Sequence, residues 1–106
     1  MLTHRVRIVR LALAGHTTTE ICRRTGHSAS AVTNYVSTFT RCAHLAVRDM
    51  QPGQIAFLLR RSRTLIQQYL ELLRESAADK NLAYHLDELL RLGQAGGEKK
   101  GRRAKG

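Results

Sequence analysis

The chain contains no tryptophan, two phenylalanines and three tyrosines in 106 residues. A core so poor in large aromatics has to be filled by Leu, Ile, Val and Ala. The same scarcity argues against recognition of single-stranded RNA, which stacks bases on exposed rings. Pro52 is the one proline, and runs of β-branched residues are lacking, so an all-α fold is predicted. The two cysteines, Cys22 and Cys42, are far apart in the chain with no Cys-x-x-Cys, which excludes a disulfide-built scaffold. The first ten residues, broken by His4, Arg5, Arg7 and Arg10, do not read as a signal peptide. A reducing cytoplasm is therefore expected, with the basic chain associated with the nucleoid. No apolar run approaches the length of a bilayer crossing, so no membrane partner is expected.

Enzyme signatures are equally absent. The chain has no Walker loop, no nucleophile elbow and no carboxylate pair placed on a common substrate, so it is not expected to be an enzyme. Cys22, His27, Cys42 and His44 raise the question of zinc. Cys42 and His44, two apart on a helix, point in different directions, and Cys22 has a packing role. No metal or other cofactor is expected.

Acidic residues are nearly missing from the first 48 positions. Residues 1–48 carry seven arginines and the single acid Glu20, a net of +6; residues 49–93 balance to zero; residues 94–106 hold five basic residues against Glu98. The net charge of +10 favours a polyanionic partner.

What is present is a repeat. When Leu11 is laid on Leu45, the same shift brings Ile21, Val32, Tyr35 and Phe39 onto Ile55, Ile66, Tyr69 and Leu73. A unit of about 34 residues is too small to bury a stable core alone, so two units should share one. In the first, Arg5–Ala14 reads as a helix with Val6, Val9 or Ile8, and Leu13 on its core stripe, and Gly15 as its C-terminal cap. Thr17 and Glu20 form a capping-box pattern for a second helix to about Thr25. Gly26 makes a turn, and Ser28 caps a third helix to about Thr38. The second unit repeats the plan, with a helix near Phe39–Arg48, another opened by Pro52 and ending near Arg60, and a third capped by Ser62 and running to about Ala77. Asp79 can cap a seventh helix with Leu82, Leu86, Leu89 and Leu90 on one face. The expected divisions are a first repeat over 1–44, a second over 45–78, a C-terminal helix over 79–93 and a disordered basic tail over 94–106. The leucine stripe of the C-terminal helix either closes the core or forms a homodimer face.

The spacing within each unit is that of a helix-turn-helix. A small residue stands where two helices cross, a left-handed turn follows four residues later, and apolar residues ten and thirteen beyond the first pin the recognition helix. Cys22, Gly26, Val32 and Tyr35 meet all four demands. Ala56, Ile66 and Tyr69 meet three, with Arg60 in place of glycine, where a left-handed backbone costs about 1–2 kcal/mol. The second turn is therefore free to be built differently. Fixing the core positions turns Ser28, Ser30, Thr33, Asn34 and Ser37 outward, where short uncharged side chains can approach base edges and Asn34 can pair with adenine. Arg5, Arg7, Arg10, Arg23, Arg24 and His27 flank them as phosphate contacts. In the second unit Arg63, Thr64, Gln67 and Gln68 are the base-reading candidates and Arg60 and Arg61 the phosphate contacts, with Glu71 repelling phosphate. Lys99, Lys100, Arg102 and Arg103 in the tail add sequence-independent affinity.

The stretch from Leu11 and Gly15 through Glu20-Ile21, Arg23-Arg24-Thr25-Gly26-His27-Ser28, Val32, Tyr35, Phe39 and Arg41 to Ile55 and Tyr69-Leu70 resembles an uncharacterised family of bacterial and archaeal proteins with tandem helix-turn-helix repeats. That family carries Arg-x-Thr-Gly-His-Ser and a later Tyr-Leu. The resemblance covers about residues 5–75, and a looser one extends to the paired helix-turn-helix units of transposases and resolvases. It implies DNA binding and no demonstrated activity. Within the motif, His27 either donates to a phosphate or satisfies a local carbonyl. The expected function is sequence-specific binding of double-stranded DNA, as a transcriptional regulator or an accessory factor of a mobile element. The alternative is a protein-docking module of a nucleoprotein complex, using the second repeat for a protein partner.

Overall fold

The computed structural model describes residues 4–91, and every regular element among them is a helix. These are α1 (His4–Leu13), α2 (Thr18–Thr25), α3 (Ala29–Val47), α4 (Pro52–Leu59) and α5 (Arg63–Ala78), followed by a helical stretch over residues 80–91, here α6. None is long and apolar enough to cross a membrane. The expected tail over 94–106 lies outside the described residues.

The backbone repeats as the side chains do. Positive φ occurs at Gly15 (98°) and Gly26 (76°), and again at the equivalent positions of the second unit, Asp49 (62°) and Arg60 (56°). The Thr17 hydroxyl accepts from the Glu20 N–H at 3.2 Å while the Glu20 carboxylate accepts from the Thr17 N–H at 2.8 Å. At the matching place the Gln54 side-chain carbonyl accepts from the Gln51 N–H at 3.1 Å. Ser28 and Ser62 cap α3 and α5, each hydroxyl accepting at 3.1 Å from the N–H three residues on. Two turns, a helix entry and a second helix entry thus recur at one spacing, which is consistent with tandem helix-turn-helix units.

One expected boundary is absent. Residues 39–48 do not form a separate helix; α3 runs unbroken through Thr38–Thr40, so among the described residues six helices stand where seven were expected. No glycine or proline interrupts this stretch. The Thr38 and Thr40 hydroxyls donate to the Asn34 and Val36 carbonyls, both at 2.9 Å, so neither competes with the helix for backbone groups. The last helix of the first unit is therefore the first helix of the second, and α3 packs against α1, α2, α4 and α5.

Two clusters form the core. Ile8, Ile21 and Val32 make a small one inside the first unit. Their counterparts in the second unit, Cys42, Ile55 and Ile66, lie within a larger one that also takes Val6, Val9 and Leu13 from α1, together with Phe39, Tyr69, Leu72 and Leu86. Helix α1 thus buries one face in its own unit and another in its neighbour, which is how two undersized units share a core. Arg10 Nη2 adds a 2.7 Å ion pair to Glu75 between α1 and α5. Asp79 caps α6, accepting from the N–H groups of Asn81 and Leu82. Leu86 is buried in the larger cluster, with Leu82, Leu89 and Leu90 partly buried against it.

Candidate nucleic-acid interface

Burial of Val32 against Ile8 and Ile21 fixes the rotation of α3. The opposite face of its N-terminal half then points to solvent: Ser28, Ser30, Thr33, Asn34 and Ser37 are all exposed and line one open, shallow surface. Ser30, Thr33, Asn34 and Ser37 follow one another at helical spacing along that face. None of these four makes a side-chain hydrogen bond among the described residues, so their donors and acceptors are available to a ligand. Ser28 accepts the Ala31 N–H in its cap and keeps its hydroxyl proton to donate.

The surrounding cations sort into three groups. Arg7, Arg23 and Arg24 are exposed and make no ion pair among the described residues. Arg5 and His27 belong to an aromatic group: the Arg5 guanidinium lies 5.6 Å from the Tyr35 ring centre, and His27 lies 6.0 Å from Tyr35 and 5.8 Å from His4. His27 therefore packs between the rings of His4 and Tyr35. Arg10 is held by Glu75. The only side-chain carboxylate of residues 1–48, Glu20, is committed to its cap. The Thr17 backbone N–H, with His16 3.6 Å away, holds the Glu20 carboxyl below its ordinary pKa.

The second unit differs. Arg63, Thr64 and Gln67 are exposed and Gln68 is half-buried. The Arg63 guanidinium reaches back to α4, where a Cβ added at Gly53 would lie 3.5 Å from Nη2. Arg60 is exposed, and Arg61 Nη1 donates to the Leu59 and Arg60 carbonyls at 3.3 and 3.1 Å, closing the end of α4. Glu71 stands exposed at the position of Ser37. Lys99, Lys100, Arg102 and Arg103 lie outside the described residues.

Two features escaped the sequence. The Arg5–Tyr35–His27 group joins separate parts of the first unit and gives no local signal. On α4, Phe57 and Leu58 are exposed where the first unit has Arg23 and Arg24, a contrast that direct comparison of the two repeats reveals. Cys22 is half-buried; Cys42 is buried, and burial pushes its thiol up to about 11, so it is an inert packing residue. Among the described residues no three His, Cys, Asp or Glu side chains gather to hold a metal.

No match to the chain was found among curated proteins or among solved structures. Residues 1–72, which span the first unit and the second as far as Leu72 in α5, match DUF1670, described as a protein of unknown function, and the chain belongs to that family.

Proposed function

We propose that this is a helix-turn-helix protein that binds double-stranded DNA, with the first half of α3 entering the major groove. The observation that carries this reading is the exposed, uncharged face of Ser28, Ser30, Thr33, Asn34 and Ser37, bordered by cations that have no intramolecular anion. Short hydroxyl and amide side chains read base edges at close range, and Asn34 can pair with the N6 and N7 edge of adenine. Arg7, Arg23 and Arg24 contact phosphate and set the register. Arg5, exposed beside Tyr35, serves the same purpose, while Arg10 braces α1 against α5.

The second unit plays a lesser part. Glu71 opposes phosphate and Arg61 is turned onto the Leu59 and Arg60 carbonyls, so the second unit contributes chiefly through Arg60 at the end of α4 and Arg63, Thr64 and Gln67 on α5. The protein acts at the nucleoid as a transcriptional regulator or as an accessory factor of a mobile element. Mobility shift on random duplex at two salt concentrations, followed by selection of bound sequences from a random pool, tests this. A salt-sensitive shift and an enriched motif support it. Absence of any shift at low salt, or full displacement of the duplex by equimolar RNA, contradicts it.

A further inference from the structure

Each base pair offers a distinct set of groups in the major groove, and each set calls for its own side chain. Arginine or lysine answers guanine at O6 and N7, and a carboxylate answers the N4 amino group of cytosine. From Ser28 to Thr40 the chain has neither. The equivalent face of the second unit has both: Arg63 stands where the first unit has Ala29, and Glu71 where it has Ser37. Small neutral residues therefore distinguish the first face and are not imposed by the repeat. Arg23 and Arg24 do not fill the gap, because they belong to α2, the helix that crosses the backbone in this motif. What the face does hold falls into two rows. Ser30, Asn34 and Ser37 follow one another along α3, with Ala29 and Thr33 in a second row beside them. All five are exposed on the same shallow surface. Thr38 and Thr40 donate their hydroxyls to helix carbonyls four residues back, whereas Thr33 makes no such bond among the described residues.

We infer that this face selects A·T pairs from the major-groove side, with the Asn34 amide on the N6 and N7 edge of adenine and the methyls of Ala29 and Thr33 packed on thymine 5-methyl groups. The inference rests on the DNA-binding reading above and adds to it the class of base pair and a role for Ala29. Seryl and threonyl hydroxyls serve any base, so the amide and the two methyls are the groups that discriminate. A guanine in place of adenine turns two acceptors, O6 and N7, toward Asn34. In either orientation of the amide, one of them meets the Asn34 carbonyl oxygen, acceptor against acceptor. A cytosine in place of thymine removes the methyl and brings an N4 donor to a face without a carboxylate. Both halves of a G·C pair are thus disfavoured by the same few side chains.

Selection of bound duplexes from a random pool, followed by anisotropy titration of the enriched duplex and of remade versions of it, tests this with the full chain. The enriched core is expected to hold A·T pairs. Deoxyuridine in place of thymine removes only the 5-methyl, and is expected to weaken binding about fourfold at each contacted position, as loss of one buried methyl does. Inosine·cytosine in place of A·T keeps the minor groove of A·T but presents O6 and N7 in the major groove, and is expected to weaken binding about tenfold. Thr33→Ser keeps the hydroxyl and drops the methyl, so it should tell thymine from deoxyuridine less well than the wild type. Thr33→Val keeps a methyl and should discriminate as the wild type does. Thr33 is exposed, so both variants should melt like the wild type. An enriched core of G·C pairs, equal binding of thymine and deoxyuridine duplexes, full binding of the inosine·cytosine duplex, or unchanged discrimination in Thr33→Ser overturns the inference and leaves DNA binding standing. Failure to bind any duplex removes the DNA-binding reading, and this inference with it.

Discussion

Arg60 holds in the second unit the left-handed turn that Gly26 holds in the first, with φ 56° and ψ 49° against φ 76° and ψ 6°. The Gly26 N–H donates to the Cys22 carbonyl at 2.8 Å, and the Arg60 N–H to the carbonyls of Ala56 and Phe57. The second turn is thus built like the first in spite of its side chain. Core burial of Ile55 and Ile66 on either side imposes the conformation, and the arginine bears the strain.

Substitution at each of the two turns should reveal that strain. Arg60→Gly relieves about 1–2 kcal/mol of left-handed cost against a smaller entropic penalty in the unfolded chain, for a net gain of about 1 kcal/mol. In a domain of this size that raises the melting temperature by about 4–8 °C. Gly26→Ala should lose about 1–2 kcal/mol, although nothing lies within 4 Å of the added Cβ, because the cost is conformational. Thermal denaturation of both variants checks the pair.

Phe39 meets Tyr69 edge to face at 5.6 Å between ring centres, with both rings about 1% exposed. The equivalent contact in the first unit is Arg5 over Tyr35, also at 5.6 Å. A surface cation has become a buried ring at the junction where α3 passes from one unit to the next. Phe39→Ala should cost about 3–5 kcal/mol, a large fraction of the stability of a small domain, while Phe39→Leu should cost far less. Urea titration distinguishes the two.

Alkaline pH should destabilise the fold. Burial pushes the Cys42 thiol up to about 11 and the Tyr69 phenol up to about 12, from ordinary values of 9.0 and 10.0. Both groups stay protonated in the folded chain after they ionise in the unfolded one. The unfolded state then binds fewer protons, and stability falls from about pH 9 upward, by up to about 1.4 kcal/mol per pH unit for each group. The Tyr69 hydroxyl is buried with no hydrogen-bond partner among the described residues. Tyr69→Phe should therefore be neutral or stabilising at pH 7 and should flatten the decline between pH 10 and 12. Denaturant midpoints at pH 7, 9 and 11 read this directly.

Base reading and charge should separate by mutation. Thr33→Ala and Asn34→Ala should relax preference for the selected sequence by about 1–3 kcal/mol with little change on random duplex. Removal of residues 94–106 should weaken all duplexes alike and flatten the dependence of affinity on salt. Anisotropy titrations of a selected and a scrambled duplex give both quantities. A truncated chain that lost sequence preference while keeping bulk affinity would reverse these roles.

Capping residues made much of the fold legible in advance. Thr17, Glu20, Ser28, Ser62, Pro52 and Asp79 act through neighbours three residues away or fewer, so their roles are written locally. The outward face of α3 followed from the spacing of Val32 and Tyr35. The unbroken run of α3 did not, because the repeat suggested a boundary at Thr38 where the local chemistry contains no breaker. The Arg10–Glu75 pair joins distant parts of the chain, and no local pattern encodes it. It braces α1 against α5. The Arg60 turn is hidden from the sequence for a related reason: local propensity opposes it, and tertiary packing prevails.

The central claim is that the first half of α3 is the surface that meets DNA. Amide chemical-shift mapping of the labelled chain with its selected duplex tests this residue by residue. The account predicts the largest perturbations from Ser28 to Ser37 and at Arg23 and Arg24, with α4 little changed. Perturbations confined to residues 52–60 or 80–91 would contradict it, as would a spectrum unaltered by saturating duplex.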